Sequence, residues 1–340
     1  MTVDNAERVR GSMFGLAYGD ALGAPTEFLS YAEIVRRHDL PGPLDLVGTP
    51  ALVTDDTQMA LAVAHAVLDA RVDGGALRPD TFGRRLVERY LTWWDSPDNT
   101  RAPGHTCMSA CEELAKGRPW IEATRRGSKG CGANMRVTPL GLLDGIDEAT
   151  RCGAAQLQSA ITHGHPTATA AADLTAAAVH ALRGGVAIAD LPAYLRDHAR
   201  AQCEVYRGDW LGDELWRGPF ADSPEGFAAR GWGECLGVLD RLDQAVAEGD
   251  RRSDPCRVTG AGWIAEEALA TAVLCVVLYA DDPRSALARA AATSGDSDSI
   301  AALAGAMLGA VYGMDGWPDE WLERIEYREE LDAVSAAFAR

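Results

Sequence analysis

The sequence predicts an all-α globule, and three observations carry that reading. Nearly every apolar stretch repeats with the ~3.6-residue period of a helix, and none alternates as a clean strand would. Asn-Gly or Asp-Gly turns between alternating runs are missing, since Asp73-Gly74 and Asp144-Gly145 both sit beside helical segments. No internal repeat with a period of roughly 20 to 50 residues divides the chain, and no Pro/Ser-rich linker does.

In chain order the pattern predicts helices over Ala6–Gly19, Thr57–Ala70, Asp80–Trp94, His105–Lys116, Arg151–Ile161 and Thr167–Leu182. It continues with Leu191–Cys203, Pro224–Glu248, Ala261–Tyr279, Pro283–Thr293, Ser299–Val311 and Pro318–Phe338. Asp80 stands before an apolar pattern, Ser96 and Asp98 flank Pro97, and Pro318 fits a first-turn position, all plausible helix starts. Gly305 and Gly309, four apart in a small-residue helix, would let a neighbouring helix approach closely. Tyr206–Trp232 departs from the pattern, with Trp210, Trp216, Phe220 and Trp232 among Gly, Pro and Asp residues. It reads either as an aromatic lid or insertion over a site, or as an outer seal of the bundle.

Composition narrows the function classes. The 340 residues are 47% hydrophobic and 24% charged, enough for a core that needs no disulfide or zinc to hold it. A net charge of −18 argues against a basic nucleic-acid groove or an anionic membrane surface. Met1 to Arg10 is polar and lacks the apolar core of a signal peptide. The longest near-apolar run, Ala268 to Ala280, is shorter than the ~18–20 residues of a membrane span. Eight cysteines are scattered; Cys107 and Cys111 share a helix face but lack the second pair of a zinc site. These features predict a soluble, reduced, cytoplasmic monomer.

Two acid clusters stand where helices begin: Thr54-Asp55-Asp56-Thr57-Gln58 and Gly295-Asp296-Ser297-Asp298-Ser299. Helix capping explains one acid, and Asp55 with Gln58 fits a capping box. Each cluster supplies two acids, interleaved with hydroxyls, and adjacent carboxylates repel unless a cation compensates them. Oxygen-only donor sets suit hard cations such as Mg²⁺ or Mn²⁺. Asp55, Asp56, Asp296 and Asp298 are the right number for two such ions. The clusters must then meet across some 240 residues, which predicts one domain over 1–340. Prenyl-diphosphate chemistry fits poorly, because Met59 stands where an Asp-Asp-x-x-Asp pattern needs its last acid. Arg289 likewise stands where the second prenyl motif needs Glu. A His-Asp phosphohydrolase is also disfavoured: the one His-Asp pair, His38-Asp39, has no histidine before it.

Five blocks, in order over residues 15 to 299, resemble the ADP-ribosylglycohydrolase family, the dinitrogenase-reductase-activating glycohydrolase type. They are Gly15 to Phe28 with its Gly19-Asp20-Ala21-Leu22-Gly23 and Glu27-Phe28, Thr54-Asp55-Asp56-Thr57, Lys129 to Arg136 with Pro139-Leu140-Gly141, Thr162-His163-Gly164-His165-Pro166, and Gly295-Asp296-Ser297-Asp298-Ser299. The resemblance implies a single compact orthogonal helix bundle of that family's type. It also implies that Thr54, Asp55, Asp56, Asp296, Asp298 and Ser299 hold two Mg²⁺ or Mn²⁺ ions, with Asp298 bridging. It implies that Glu27 acts beside one metal as general base or gating carboxylate, with Asp55 and Asp298 in the catalytic set. Gly130, Cys131, Gly132, Ala133 and Met135 would form the diphosphate side, with His163 contacting the substrate nearby. Cys131 stands where the family often has Asn. Asp98 and Thr106 lie in a stretch similar to a substrate-flanking loop, and Gly262 to Glu267 is similar to another segment near the substrate.

The implied activity is metal-dependent hydrolysis of the glycosidic bond between ADP-ribose and an acceptor, a protein side chain foremost. Cleavage passes through an oxocarbenium-like state that nearby carboxylates stabilise, with an acid of the site taking the proton of water. The alternative is a non-catalytic ADP-ribose-binding or partner-blocking protein on the same fold.

Overall fold

The structure, a computed structural model, describes residues 3–340; Met1 and Thr2, at the head of the polar N-terminus, lie outside them. Thirteen helices of eight residues or more follow one another: α1 (Asn5–Gly23), α2 (Tyr31–His38), α3 (Asp55–Gly74), α4 (Pro79–Trp94), α5 (His105–Ala115), α6 (Glu148–Ala160), α7 (Pro166–Arg183), α8 (Leu191–Gln202), α9 (Pro224–Glu248), α10 (Ala265–Leu278), α11 (Pro283–Ala290), α12 (Ser297–Tyr312) and α13 (Arg328–Phe338). Short helical turns join them, and among the described residues there are isolated bridges but no strand. The all-α expectation holds.

The centre is α12, buried without interruption from Ser297 to Ala310. With the helical turn that follows it, this helix forms a stretch, Ser297–Gly316, long and apolar enough to cross a membrane by length and composition, yet 78% of its apolar window is enclosed by the rest of the chain. The alanine-rich α7 is almost as deeply buried. Around them the main apolar core runs continuously from Val9 to Phe338.

Glycines set the tightest contact. Gly11, Gly15, Gly19 and Gly23 recur every fourth residue along one face of α1, and that face meets Gly309, Gly305, Ala301 and Ser297 of the antiparallel α12. A Cβ on Gly305 would fall 1.9 Å from the Gly15 carbonyl oxygen, and one on Gly15 2.2 Å from that of Gly305. The two backbones therefore touch, as the Gly305–Gly309 spacing predicts. The C-terminal end of α1 is thereby pressed against the acid-bearing start of α12.

Two expected elements differ from the structure. The segment expected as one helix over Pro318–Phe338 is a turn of helix at Asp319–Leu322 followed by α13, with Tyr327 left-handed between them at φ 56°. The break arises because residues 324–326 leave the helix to pair with Ala51: its N–H donates to Arg324 (2.7 Å) and its carbonyl accepts from Glu326 (3.1 Å). The helix expected from Ala261 begins at Ala265, since Gly262 is left-handed (φ 80°) and the Ala261 carbonyl accepts instead from Asp296 N–H at 2.8 Å. Segment 206–232 packs outward: Trp210 closes on Gly153 and meets Phe82 edge-on, while Leu211, Leu215 and Phe227 build a small second core.

Candidate active site

Five loops and the starts of α3, α5 and α12 meet at one cavity of about 300 Å³. The α1–α12 contact brings residues 24–28 to the N-terminus of α12. Thr26 fixes them there, its hydroxyl 2.6 Å from the Ala291 carbonyl oxygen and 3.1 Å from the Ser297 hydroxyl. α3 enters from the other side and is tied to α1 through Asp20. That carboxylate, completely buried, accepts from Thr54 N–H (3.0 Å), Thr54 Oγ1 (2.8 Å), Thr57 N–H (3.1 Å) and Thr57 Oγ1 (2.6 Å).

The cavity wall carries Glu27, Asp55, Asp56, Asp296, Asp298 and Ser299, so the two acid clusters do converge. One carboxylate oxygen each from Glu27, Asp296 and Asp298 lies within 4.8 Å of the others. The acids of neither cluster cap a helix; at α3 the cap is the Thr54 hydroxyl, which accepts from Asp56 N–H (3.4 Å). Asp296 makes no capping bond to α12, and the Gln58 side chain donates to the Asp98 carbonyl (3.2 Å) rather than folding back.

No lysine or arginine lines the cavity, so the acids lack an internal counter-charge. Burial pushes all of these carboxyls upward, and neighbouring acids add to it for every one but Asp298. Asp20 and Asp55 rise to about 7 and Glu27 to about 9, while Asp56, Asp296 and Asp298 also rise. Asp56 Oδ1 is buried without any hydrogen-bond partner. A donor set of four aspartates, a glutamate and two hydroxyls, with an orphaned oxygen and no cation, fits hard divalent ions.

The opposite wall is built from 128–135. Gly130, Cys131, Gly132 and Met135 face the cavity, with His163 behind the two glycines. The Thr162 hydroxyl, 2.8 Å from His163 Nδ1, accepts from the buried Arg136 (2.7 Å). Burial and the Arg136 charge hold this imidazole well below its usual range, so it is neutral. Gly130 and Gly132 leave room for it: a Cβ on Gly132 would lie 3.0 Å from His163 Cε1 and 2.8 Å from Cys107 Sγ. Gly132→Ala should therefore lower kcat/KM about 10- to 100-fold by displacing the imidazole, while the thermal midpoint changes little. Steady-state kinetics beside a melting curve checks this, and unaltered kinetics would refute it.

Thr106 also faces the cavity and is 2.8 Å from Ser128 Oγ. Thr54 sits behind the acids, its hydroxyl proton given to Asp20. Ala133 is fully buried behind the loop, its carbonyl accepting from Gln158 at 2.7 Å. Asp98 lines a neighbouring cavity instead, with His65, Trp93, Tyr327 and Glu330, and receives the Tyr327 hydroxyl at 3.4 Å. No residue of 206–232 reaches the acid cavity. Sequence reasoning gave no role to Asp20, to the Gly104 amide that donates to Asp55 (3.0 Å), or to the aromatics Phe28 and Trp263, although all four stand inside stretches that resemble the family's.

The family model for ADP-ribosylglycohydrolases matches residues 1–340. The chain belongs to the ADP-ribosylglycohydrolase family. It is 26% identical to the ADP-ribosyl-[dinitrogen reductase] glycohydrolase of Rhodospirillum rubrum, over 97% of this chain and 96% of the relative. It is 28% identical to the ADP-ribosylhydrolase ARH3 of Homo sapiens, over 98% and 93%. A solved ADP-ribosylglycohydrolase-related protein complex superposes with a TM-score of 0.58 at 27% identity, covering 99% of this chain and 98% of that one. The protein is thus a hydrolase of ADP-ribosyl glycosidic bonds, in a family that is generally metal-dependent.

Proposed function

We propose that this ADP-ribosylglycohydrolase removes ADP-ribose from modified protein side chains in a reaction that requires two divalent cations, Mg²⁺ or Mn²⁺. The observation that supports it best is the convergence of Asp55, Asp56, Asp296, Asp298 and Glu27 on one cavity that no lysine or arginine lines. Asp55, Asp56, Asp296 and Asp298, with Thr54 and Ser299, would hold the ions. Bound there, such ions neutralise the acids, orient ribose hydroxyls and acidify water.

The chain's own groups supply the rest. Glu27, half-buried at the edge of the acids, keeps its proton at neutral pH while the neighbouring charges are uncompensated, its carboxyl pushed up to about 9; with cations offsetting those charges it would give up that proton and could take one from water. Carboxylates close to the anomeric carbon stabilise the positive charge that develops as the bond breaks. On the opposite wall, Cys131 N–H is held by the Trp263 carbonyl, Ala133 N–H by that of Gly130 and Gly130 N–H by Ser128 Oγ (3.5 Å), so the Gly132 N–H, with Gly130 beside it, is left to meet the diphosphate. His163 stands beside them as a neutral ring. We assign residues 1–340 to one catalytic domain on the continuity of the core.

The test is a panel of ADP-ribosylated acceptors, modified on arginine or serine, incubated with and without EDTA while free ADP-ribose is measured. Release from at least one protein conjugate, lost in EDTA and restored by Mg²⁺ or Mn²⁺, is expected. Undiminished turnover in EDTA would remove the metals from the reaction.

A further inference from the structure

One ion pair outside the acid cavity ties three distant segments together. Arg101, in the loop between α4 and α5, forks onto Glu326, with Nη1 2.5 Å from Oε2 and Nη2 2.8 Å from Oε1. The same Nη1 donates to the Val53 carbonyl, and Val53 N–H donates to Glu326 Oε2 (3.1 Å). Both backbone groups of Val53 are thus held by the pair, immediately before Thr54 caps α3 and Asp55 opens it. The two side chains are only 23% and 17% exposed, enclosed enough for a bidentate pair to keep its geometry. Strain collects at the same place. Among the described residues four non-glycines have a left-handed φ, and two of them, Ala102 (49°) and Tyr327 (56°), directly follow the members of the pair. Such a conformation persists only where its surroundings impose it. Ala102 is pinned on one side by Arg101 and on the other by Gly104, whose N–H donates to Asp55 Oδ2 at 3.0 Å.

We propose that Arg101 and Glu326 are positioning residues for Asp55: together they fix its carboxylate for a divalent cation, although neither lines the acid cavity. The inference rests on the two-cation reading above and adds what orients one of its acids. Asp55 stands among carboxylates that repel it, and a carboxylate free to turn would swing away from them. The pair opposes this twice. Through Val53 it sets where α3 begins, and through Arg101 it keeps the Gly104 amide on Asp55 Oδ2. A hydrogen bond on one oxygen of a metal-binding carboxylate sets the direction of the other. The strain at Ala102 shows why an anchor is needed. Without Arg101 the loop would relax toward an ordinary φ and draw the Gly104 amide off Asp55.

The experiment is calorimetric titration of the full chain with Mn²⁺, beside melting curves in EDTA and turnover measured over a range of Mn²⁺. Arg101→Ala should weaken Mn²⁺ about tenfold or more. Arg101→Lys, which keeps the charge but not the planar fork, should lose nearly as much. Glu326→Gln should fall in the same direction, and adding it to Arg101→Ala should cost little more, because the two act through each other. Ala102→Gly placed in Arg101→Ala should recover part of the affinity, since glycine adopts the left-handed φ without an anchor. Turnover by Arg101→Ala should drop at limiting Mn²⁺ and return as Mn²⁺ is raised. Unaltered Mn²⁺ affinity in Arg101→Ala and Arg101→Lys, with a lower melting temperature in EDTA, would make the pair a staple of the fold and overturn the positioning role. Failure of the unaltered chain to bind Mn²⁺ would instead overturn the two-cation reading, and the positioning role with it.

Discussion

Asp298→Asn should lower ADP-ribose release at least about a thousandfold, while the protein melts in EDTA at the same temperature as the unaltered chain or above it. Both halves follow from one geometry. Asp298 is the acid whose charge bears on Asp20, Glu27, Asp55, Asp56 and Asp296 together. In the cation-free fold it is a source of repulsion, so removing its charge relieves five neighbouring acids, four of them buried. Once divalent ions are bound it becomes a ligand. A contribution of several kcal/mol to transition-state charge corresponds to about three decades of rate. The unaltered chain should gain melting temperature on addition of Mg²⁺ or Mn²⁺, and the variant should gain much less. Calorimetric melts with and without metal, beside the release assay, decide it. A variant that keeps a tenth of the activity, or one that unfolds in EDTA, contradicts the reading.

The second large effect is structural. Gly305→Ala should cost about 3 kcal/mol or more, at or beyond the upper end of ordinary overpacking, because the new methyl would meet backbone rather than a movable side chain. Gly233→Ala in α9 is the matched control. Gly233 lies in an exposed helical position where a Cβ meets nothing within 4 Å, and alanine there should stabilise by about 0.5–1 kcal/mol. Urea unfolding of the two variants should therefore move in opposite directions. A Gly305→Ala protein as stable as the parent would mean that α1 and α12 can separate without loss.

Much of this was legible before any coordinates, for reasons that differ by residue. Most helices announced themselves because their buried faces are long and periodic; α9 begins and ends where the pattern places it, at Pro224 and Glu248. α2 escaped because only Ile34 among its eight residues is buried, although Ser30 and Glu33 form a capping box that the sequence displays. The end of the supposed helix from Pro318 could not be read locally, since its cause, Ala51, lies more than 270 residues away. The acids were legible as composition: two Asp pairs at helix starts are more than capping needs. Their partners were not. Asp20 sits among apolar neighbours inside a helix, and only the fold shows it gathering four donors from α3. Asp98, grouped by sequence with the substrate loop, faces the adjoining cavity because Arg101, paired with Glu326 (2.8 Å), anchors the loop there and its inner side is left to Ala102, Pro103 and Gly104.

The glycine contact between α1 and α12 also bears on the order of events when the chain folds. It joins residues nearly 300 apart, the kind of pairing whose loop-closure entropy must be met before any gain arrives. Most local helices can form without it, but Glu27 and Asp298 cannot face each other until it closes. Helicity on refolding should accordingly return ahead of enzymatic turnover. A fragment lacking either helix can be largely helical and still possess only half of an acid cavity.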